Sequence, residues 1–130
     1  MDLTERAKPL ADAELTQRLF AAVTEAATAK KLKRGANEAT KSLNRDLAEL
    51  IVLAADATPL EIVLHLPLLC EDKNVPYIFV PSMAELGQAC CAARNVVACA
   101  LMKRGVEDPQ DAELQDLRLA VERCYYQSSE

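Results

Sequence analysis

Glycine is scarce in this chain: three residues in 130, at Gly35, Gly87 and Gly105. That excludes a glycine-rich loop of the kind that cradles nucleotide phosphates, and no Walker loop, G-x-G-x-x-G or G-x-S-x-G occurs. The single histidine, His65, is the one candidate imidazole base, and with no C-x-x-C pair beside it a zinc site is not expected. Tryptophan is missing and aromatics make up 4% of the chain, so the core must be aliphatic, with Phe20, Phe79 and three tyrosines adding bulk. No apolar run reaches the ~18 residues that suggest a membrane span. The opening Met1-Asp2-Leu3-Thr4-Glu5-Arg6 is charged and lacks the apolar stretch of a secretory signal. Five cysteines (Cys70, Cys90, Cys91, Cys99, Cys124) form an odd count without C-x-x-C spacing. Reduced, mostly buried thiols are expected, with no disulfide framework, metal or cofactor.

What is present suits one folded domain over residues 1–130, half of it apolar (51%), with 1–8 and 127–130 expected to be flexible. The net charge of −5 argues against a nucleic-acid binder only on average. Between Lys30 and Arg45 stand six basic residues (Lys30, Lys31, Lys33, Arg34, Lys41, Arg45) and one acid, Glu38, against nine bases and nineteen acids elsewhere. One face can therefore attract phosphate while the rest repels it.

Apolar spacing at Leu15, Leu19, Phe20, Val23, Ala26 and Ala27 predicts a helix over residues 11–29. Lys30 to Gly35 reads as a basic connector, followed by a helix from Ala36 to Leu47. The continuous run Leu50-Ile51-Val52-Leu53-Ala54-Ala55 predicts a strand buried on both faces. Thr58-Pro59 with Glu61 predicts a capped helix start, and Pro67 should kink or break the helix that follows before it ends near Asp72. Residues 77–80 and 96–102 predict two more strands, 83–90 and 109–125 two more helices. Strands alternating with helices imply an α/β fold, a mostly parallel sheet between helix layers.

No catalytic constellation emerges, and the chain is not expected to be an enzyme. Asp56 ends a buried strand, where α/β enzymes often carry carboxylates, yet has no evident partner and suits a turn or cap. His65, among leucines, suits half-buried packing. The segment Leu32-Lys33-Arg34-Gly35-Ala36-Asn37-Glu38-Ala39-Thr40-Lys41 is different. A helix starting at Gly35 offers backbone N–H groups and partial positive charge to a phosphate, and Gly35 permits close approach. Asn37 and Lys41 share a face, with Glu38 beside them. A carboxylate among phosphates is costly unless it accepts from a base, and guanine supplies that donor while Lys41 reaches its O6. Such a set suits a purine-rich RNA groove opened by irregular pairing. The same residues also suit a solvated helix start.

Gly35-Ala36-Asn37-Glu38-Ala39-Thr40-Lys41-Ser42-Leu43-Asn44-Arg45 resembles the signature of the kink-turn RNA-binding family of ribosomal protein L7Ae, in particular its eukaryotic members of spliceosomal and box C/D nucleolar particles. The resemblance extends through residues 51–62, is strongest over residues 64–77, and covers roughly Pro9 to Met102. It implies a three-layer α-β-α sandwich with a mixed sheet of about four strands, the extra strand being a short one near the N-terminus. It also implies binding to kink-turns with tandem sheared G·A pairs. Asn37, Glu38 and Lys41 would contact the guanines and Gly35 the backbone, while Lys33 and Arg34 are expected from the basic segment itself to touch the RNA beside it. Ile62, Arg94 and Val97 would hold a flipped-out nucleotide. The implied partners are U4 small nuclear RNA, box C/D small nucleolar RNA and Nop-domain proteins, in the nucleus and nucleolus, with the free protein a monomer. Departures occur at Thr58, where the family is usually acidic, at Pro81 and Met83, where it is usually basic, and in Cys91-Ala92-Ala93-Arg94-Asn95, where it typically reads Gly-Val-Ser-Arg-Pro. A ribosomal protein of this fold, and a protein-interaction module that has lost RNA binding, are the alternative readings.

Overall fold

The computed structural model describes residues 7–128. Helix α1 (Ala13–Thr28) starts at Asp12, whose carboxylate accepts from the Leu15 N–H at 2.8 Å, and buries Leu15, Leu19, Val23 and Ala26. Then come β1 (Leu32–Arg34), α2 (Ala36–Asn44), β2 (Ala48–Ala54), a 3-10 turn (Leu60–Ile62), α3 (His65–Lys73), β3 (Tyr77–Val80), α4 (Met83–Ala89), β4 (Ala98–Met102) and α5 (Asp111–Ser128).

The four strands lie in the order β1-β4-β2-β3, an open mixed sheet. Side chains alternate across it as strand geometry requires. Leu50, Val52, Ile78, Val80, Cys99 and Leu101 pack under α1, α4 and α5. Ile51, Leu53, Phe79, Ala98 and Ala100 pack under α2 and α3. The three-layer sandwich and the four-stranded mixed sheet are as expected. The residue pattern alone, however, suggested a more parallel sheet: β2 pairs parallel with β3, but β4 runs antiparallel to both β1 and β2. The reason lies after β3. Helix α4 is only seven residues long, and the chain then doubles back along it, with the Val96 N–H bonding Met83 O at 3.1 Å. It therefore re-enters the sheet from the end at which β3 left, which makes β4 antiparallel.

The fourth strand is β1, in the segment read from composition as a connector. Only Leu32 of its three residues is buried. Helix α2 stops at Asn44, short of the predicted Leu47. Thr58 does not cap a helix; its hydroxyl donates to Asp56 O at 3.2 Å. Pro67 does split the predicted helix into the 3-10 turn and α3, and sits in the first turn of α3, where its missing N–H breaks no intrahelical bond. Ala7 is buried and residues 127 and 128 belong to α5, so of the ends expected to be flexible only 1–6 and 129–130 lie outside the described residues.

Four helices end by one device. Lys30, Asp46, Asn74 and Cys91 have φ of 60°, 57°, 58° and 58°. After each, an N–H reaches back five residues: Lys31 to Ala26 O, Leu47 to Ser42 O, Val75 to Cys70 O and Ala92 to Gly87 O, at 2.8, 2.9, 2.9 and 3.0 Å. Glycine usually fills this left-handed position. Its scarcity here means that L-residues carry the closure at about 1 kcal/mol or more each. At Cys91 the resembled family has glycine.

Cys70, Cys90 and Cys99 are free and buried, Cys91 is free and exposed, and Cys124 is half-buried with its thiol donating to Ala120 O at 3.5 Å. Burial, then the neighbouring Glu71, push the Cys70 thiol up to about 12. Cys99 is held well above its ordinary value, first by a hydrogen bond with Cys90 and then by burial.

Candidate functional site

The sheet's topology brings the predicted site residues to one end. The Gly35 N–H donates to Ala98 O at 2.7 Å, and Ala54 N to Val97 O at 2.9 Å. Ala54 also pairs with Val80. The start of α2, the turn carrying Ile62 and the 91–97 loop therefore all leave the sheet at this end.

Gly35 is the N-cap of α2, with φ 100° and ψ 153°, a backbone state open mainly to glycine. A β-carbon there would meet nothing within 4 Å, so the space above the helix start is open. No side chain caps α2. The Gly35 N–H is held by Ala98, and those of Ala36, Asn37 and Glu38 remain for an acceptor outside the helix. Asn37 is exposed and does not cap the helix. Glu38 and Lys41 pair at 3.4 Å, with side chains 47% and 58% exposed. In that solvated setting the ion pair contributes at most ~0.5 kcal/mol to the helix. The two groups are thus readily redirected to a ligand. The inner face of α2 is fixed by buried Ala39, Ser42 and Leu43.

His65 departs from the half-buried packing residue expected of it. It is exposed at the start of α3, and its Nε2 lies 3.0 Å from Thr40 Oγ1. Thr40 donates its own proton to Ala36 O at 2.9 Å, so the imidazole nitrogen is the donor in the pair. This ties α3 to α2. Asp56 acts as a cap, as one reading had it: Oδ1 accepts from the Met83 N–H at 2.7 Å and holds the start of α4.

Of the remaining predicted residues, Ile62 is exposed (42%), Arg94 exposed and Val97 half-buried. Lys33 and Arg34 part company. Leu32 faces the α1 and α4 side, so alternation puts Arg34 on that side too and Lys33 on the α2 side. The Arg34 guanidinium spends two donors on the Cys90 carbonyl, from Nε at 2.9 Å and Nη2 at 2.6 Å. Sequence reasoning missed this contact, and also the role of Gly87. An added β-carbon on Gly87 would come within 2.5 Å of Arg94 O. The 91–97 loop is thus seated directly on the helix. Among the described residues, no group of three His, Cys, Asp or Glu side chains is placed to hold a metal ion.

Residues 17–110 match the Ribosomal protein L7Ae/L30e/S12e/Gadd45 family. The chain belongs to that family. The match takes in every predicted site residue of this L7Ae-type chain. The chain matches relatives over more than nine-tenths of their length: NHP2-like protein 1 of Xenopus tropicalis is 56% identical over 94% of both chains. The 13 kDa ribonucleoprotein-associated protein of Mycosarcoma maydis is 53% identical over 91% of this chain and 93% of its own. Among solved L7Ae-type structures, the Giardia lamblia 15.5kD RNA binding protein superposes with a TM-score of 0.88 at 43% identity, covering 95% of this chain and 99% of that one.

Proposed function

We propose that this chain is a non-catalytic RNA-binding protein that recognises kink-turns carrying tandem sheared G·A pairs. The observation that carries the reading is the uncapped start of α2 at Gly35, set in the one strongly basic segment, with Asn37, Glu38 and Lys41 exposed in its first turns. Backbone N–H groups and the helix dipole receive phosphate. Glu38 accepts from guanine N–H groups and Lys41 and Asn37 donate to guanine acceptors. Lys33 meets the backbone from the β1 edge. Ile62, Arg94 and Val97 receive the flipped-out nucleotide of the loop. Binding selects one bent RNA conformer, a population shift that needs no turnover.

The relatives named as ribonucleoprotein-associated support a role in particle assembly. On this reading the RNAs are U4 small nuclear RNA and box C/D small nucleolar RNA. Nop-domain proteins join once the RNA is bent, and the protein acts as a monomer in the nucleus and nucleolus, in pre-mRNA splicing and rRNA processing. The basic segment fixes a first test. A plot of log affinity for a kink-turn RNA against log salt should slope by roughly −2 to −4, as a handful of phosphate contacts demands. A slope near zero contradicts the reading.

A further inference from the structure

We propose that Arg34 is a positioning residue whose guanidinium holds the 91–97 loop in register with the helix start at Gly35, rather than a residue that touches RNA. This rests on the RNA-binding reading above.

The end of α4 shows why a tether is needed. A helix leaves its last carbonyls without intrahelical partners. Here each has a specific one. Gly87 O accepts from Ala92 N at 3.0 Å and Gln88 O from Cys91 N at 3.0 Å. Ala89 O accepts from Thr24 Oγ1 at 2.8 Å. Cys90 O is the last, on a fully buried residue, and Arg34 supplies both of its bonds. The next residue, Cys91, is left-handed at φ 58°. Arg34 therefore secures the peptide at which α4 gives way to the loop, at a turn that glycine does not ease.

The placement of Arg34 supports the same role. It pairs with Cys99 across β1 and β4, and Gly35 beside it bonds Ala98 O. Backbone and side chain of residues 34 and 35 thus hold both ends of the segment that carries Arg94 and Val97. Alternation along β1 directs Arg34 away from the face of α2 that presents Asn37, Glu38 and Lys41. Two of its donors are already engaged, whereas Lys33 on the other side has no such commitment.

The test uses Arg34→Met, which removes the tether, and Arg34→Lys, which keeps the charge but not the two-pronged donor. Each is titrated against a kink-turn RNA and against the same RNA with its flipped-out nucleotide made abasic. Both variants should lose about tenfold in affinity for the intact RNA, as loss of a charged hydrogen bond implies, and little for the abasic one. The salt slope of Arg34→Met should match wild type. Equal losses on both RNAs, with a slope reduced by about 0.7–0.9, would mark Arg34 as a phosphate contact and overturn the proposal. Full affinity in Arg34→Lys would overturn it too. Hydrogen exchange on the free protein separates this inference from the RNA reading. In Arg34→Met the amides of Cys91, Ala92 and Val96 should exchange faster while those of residues 50–53 stay protected, which also shows that the variant is folded. Unchanged loop exchange overturns the tether whatever the RNA result. A wild-type protein that binds neither RNA would overturn the RNA role assigned to the tether, even if the exchange result shows that the tether exists.

Discussion

Glu38→Ala is expected to weaken binding to a kink-turn RNA by about 30-fold, the equivalent of ~2 kcal/mol, through loss of paired hydrogen bonds to guanine. The sign is what makes this prediction sharp. Glu38 is the single acid among six bases between residues 30 and 45. Were the segment merely an electrostatic attractor, removing that carboxylate would strengthen binding to any RNA. The 3.4 Å pairing with Lys41 would also be released, freeing a cation for phosphate. The account therefore predicts opposite effects: weaker binding to RNA with sheared G·A pairs, and equal or slightly tighter binding to a plain duplex. Fluorescence-anisotropy titrations of both RNAs at one salt concentration decide it. A general gain in affinity in the variant would mean that Glu38 does not read a base.

Gly87→Ala is expected to destabilise the protein by about 2 kcal/mol, although the same change inside a helix ordinarily gains up to ~1 kcal/mol in propensity. The new β-carbon would lie 2.5 Å from Arg94 O and 3.2 Å from Asn95 Cα. Both are backbone atoms, so relief requires moving the whole loop rather than rotating a side chain. Overpacking of that severity outweighs propensity. For a domain of this size the melting temperature should fall by roughly 6 °C. Because the displaced loop carries Arg94 and Val97, affinity for kink-turn RNA should fall as well. Thermal unfolding followed by circular dichroism tests the first part, and an unchanged or raised melting temperature would show that the loop is not packed on α4 as described.

Much of this was legible in the residues. The uninterrupted run from Leu50 to Ala55 announced a strand covered on both sides, and Ala48–Ala54 is buried throughout. Gly35 announced the helix start because only its backbone freedom suits the turn from β1 into α2. Other features left no local trace. Strand β1 is three residues long, with two charged and exposed, and exists because β4 pairs with it. The left-handed endings at Lys30, Asp46 and Cys91 fall on residues that do not signal them; only the family's glycine where Cys91 stands hinted at one. The antiparallel course of β4 depends on how the 90–97 segment doubles back along α4. The Arg34 contact with Cys90 spans 56 positions, a distance over which sequence spacing is silent. In composition Arg34 is one more base of the segment, and alternation along β1 is what places it on the opposite side of the sheet from Lys33.

The most direct test of the central claim is a titration of the wild-type protein with a kink-turn RNA and with the same RNA in which the tandem G·A pairs are replaced by Watson–Crick pairs. Replacement would close the groove proposed to receive Asn37, Glu38 and Lys41 and leaves the phosphates in number unchanged. The account predicts tight binding to the first and a loss of at least about a hundredfold on the second, since specific nucleic-acid binding typically exceeds non-specific binding by more than that. Equal affinity for the two RNAs, or none for either, would contradict it.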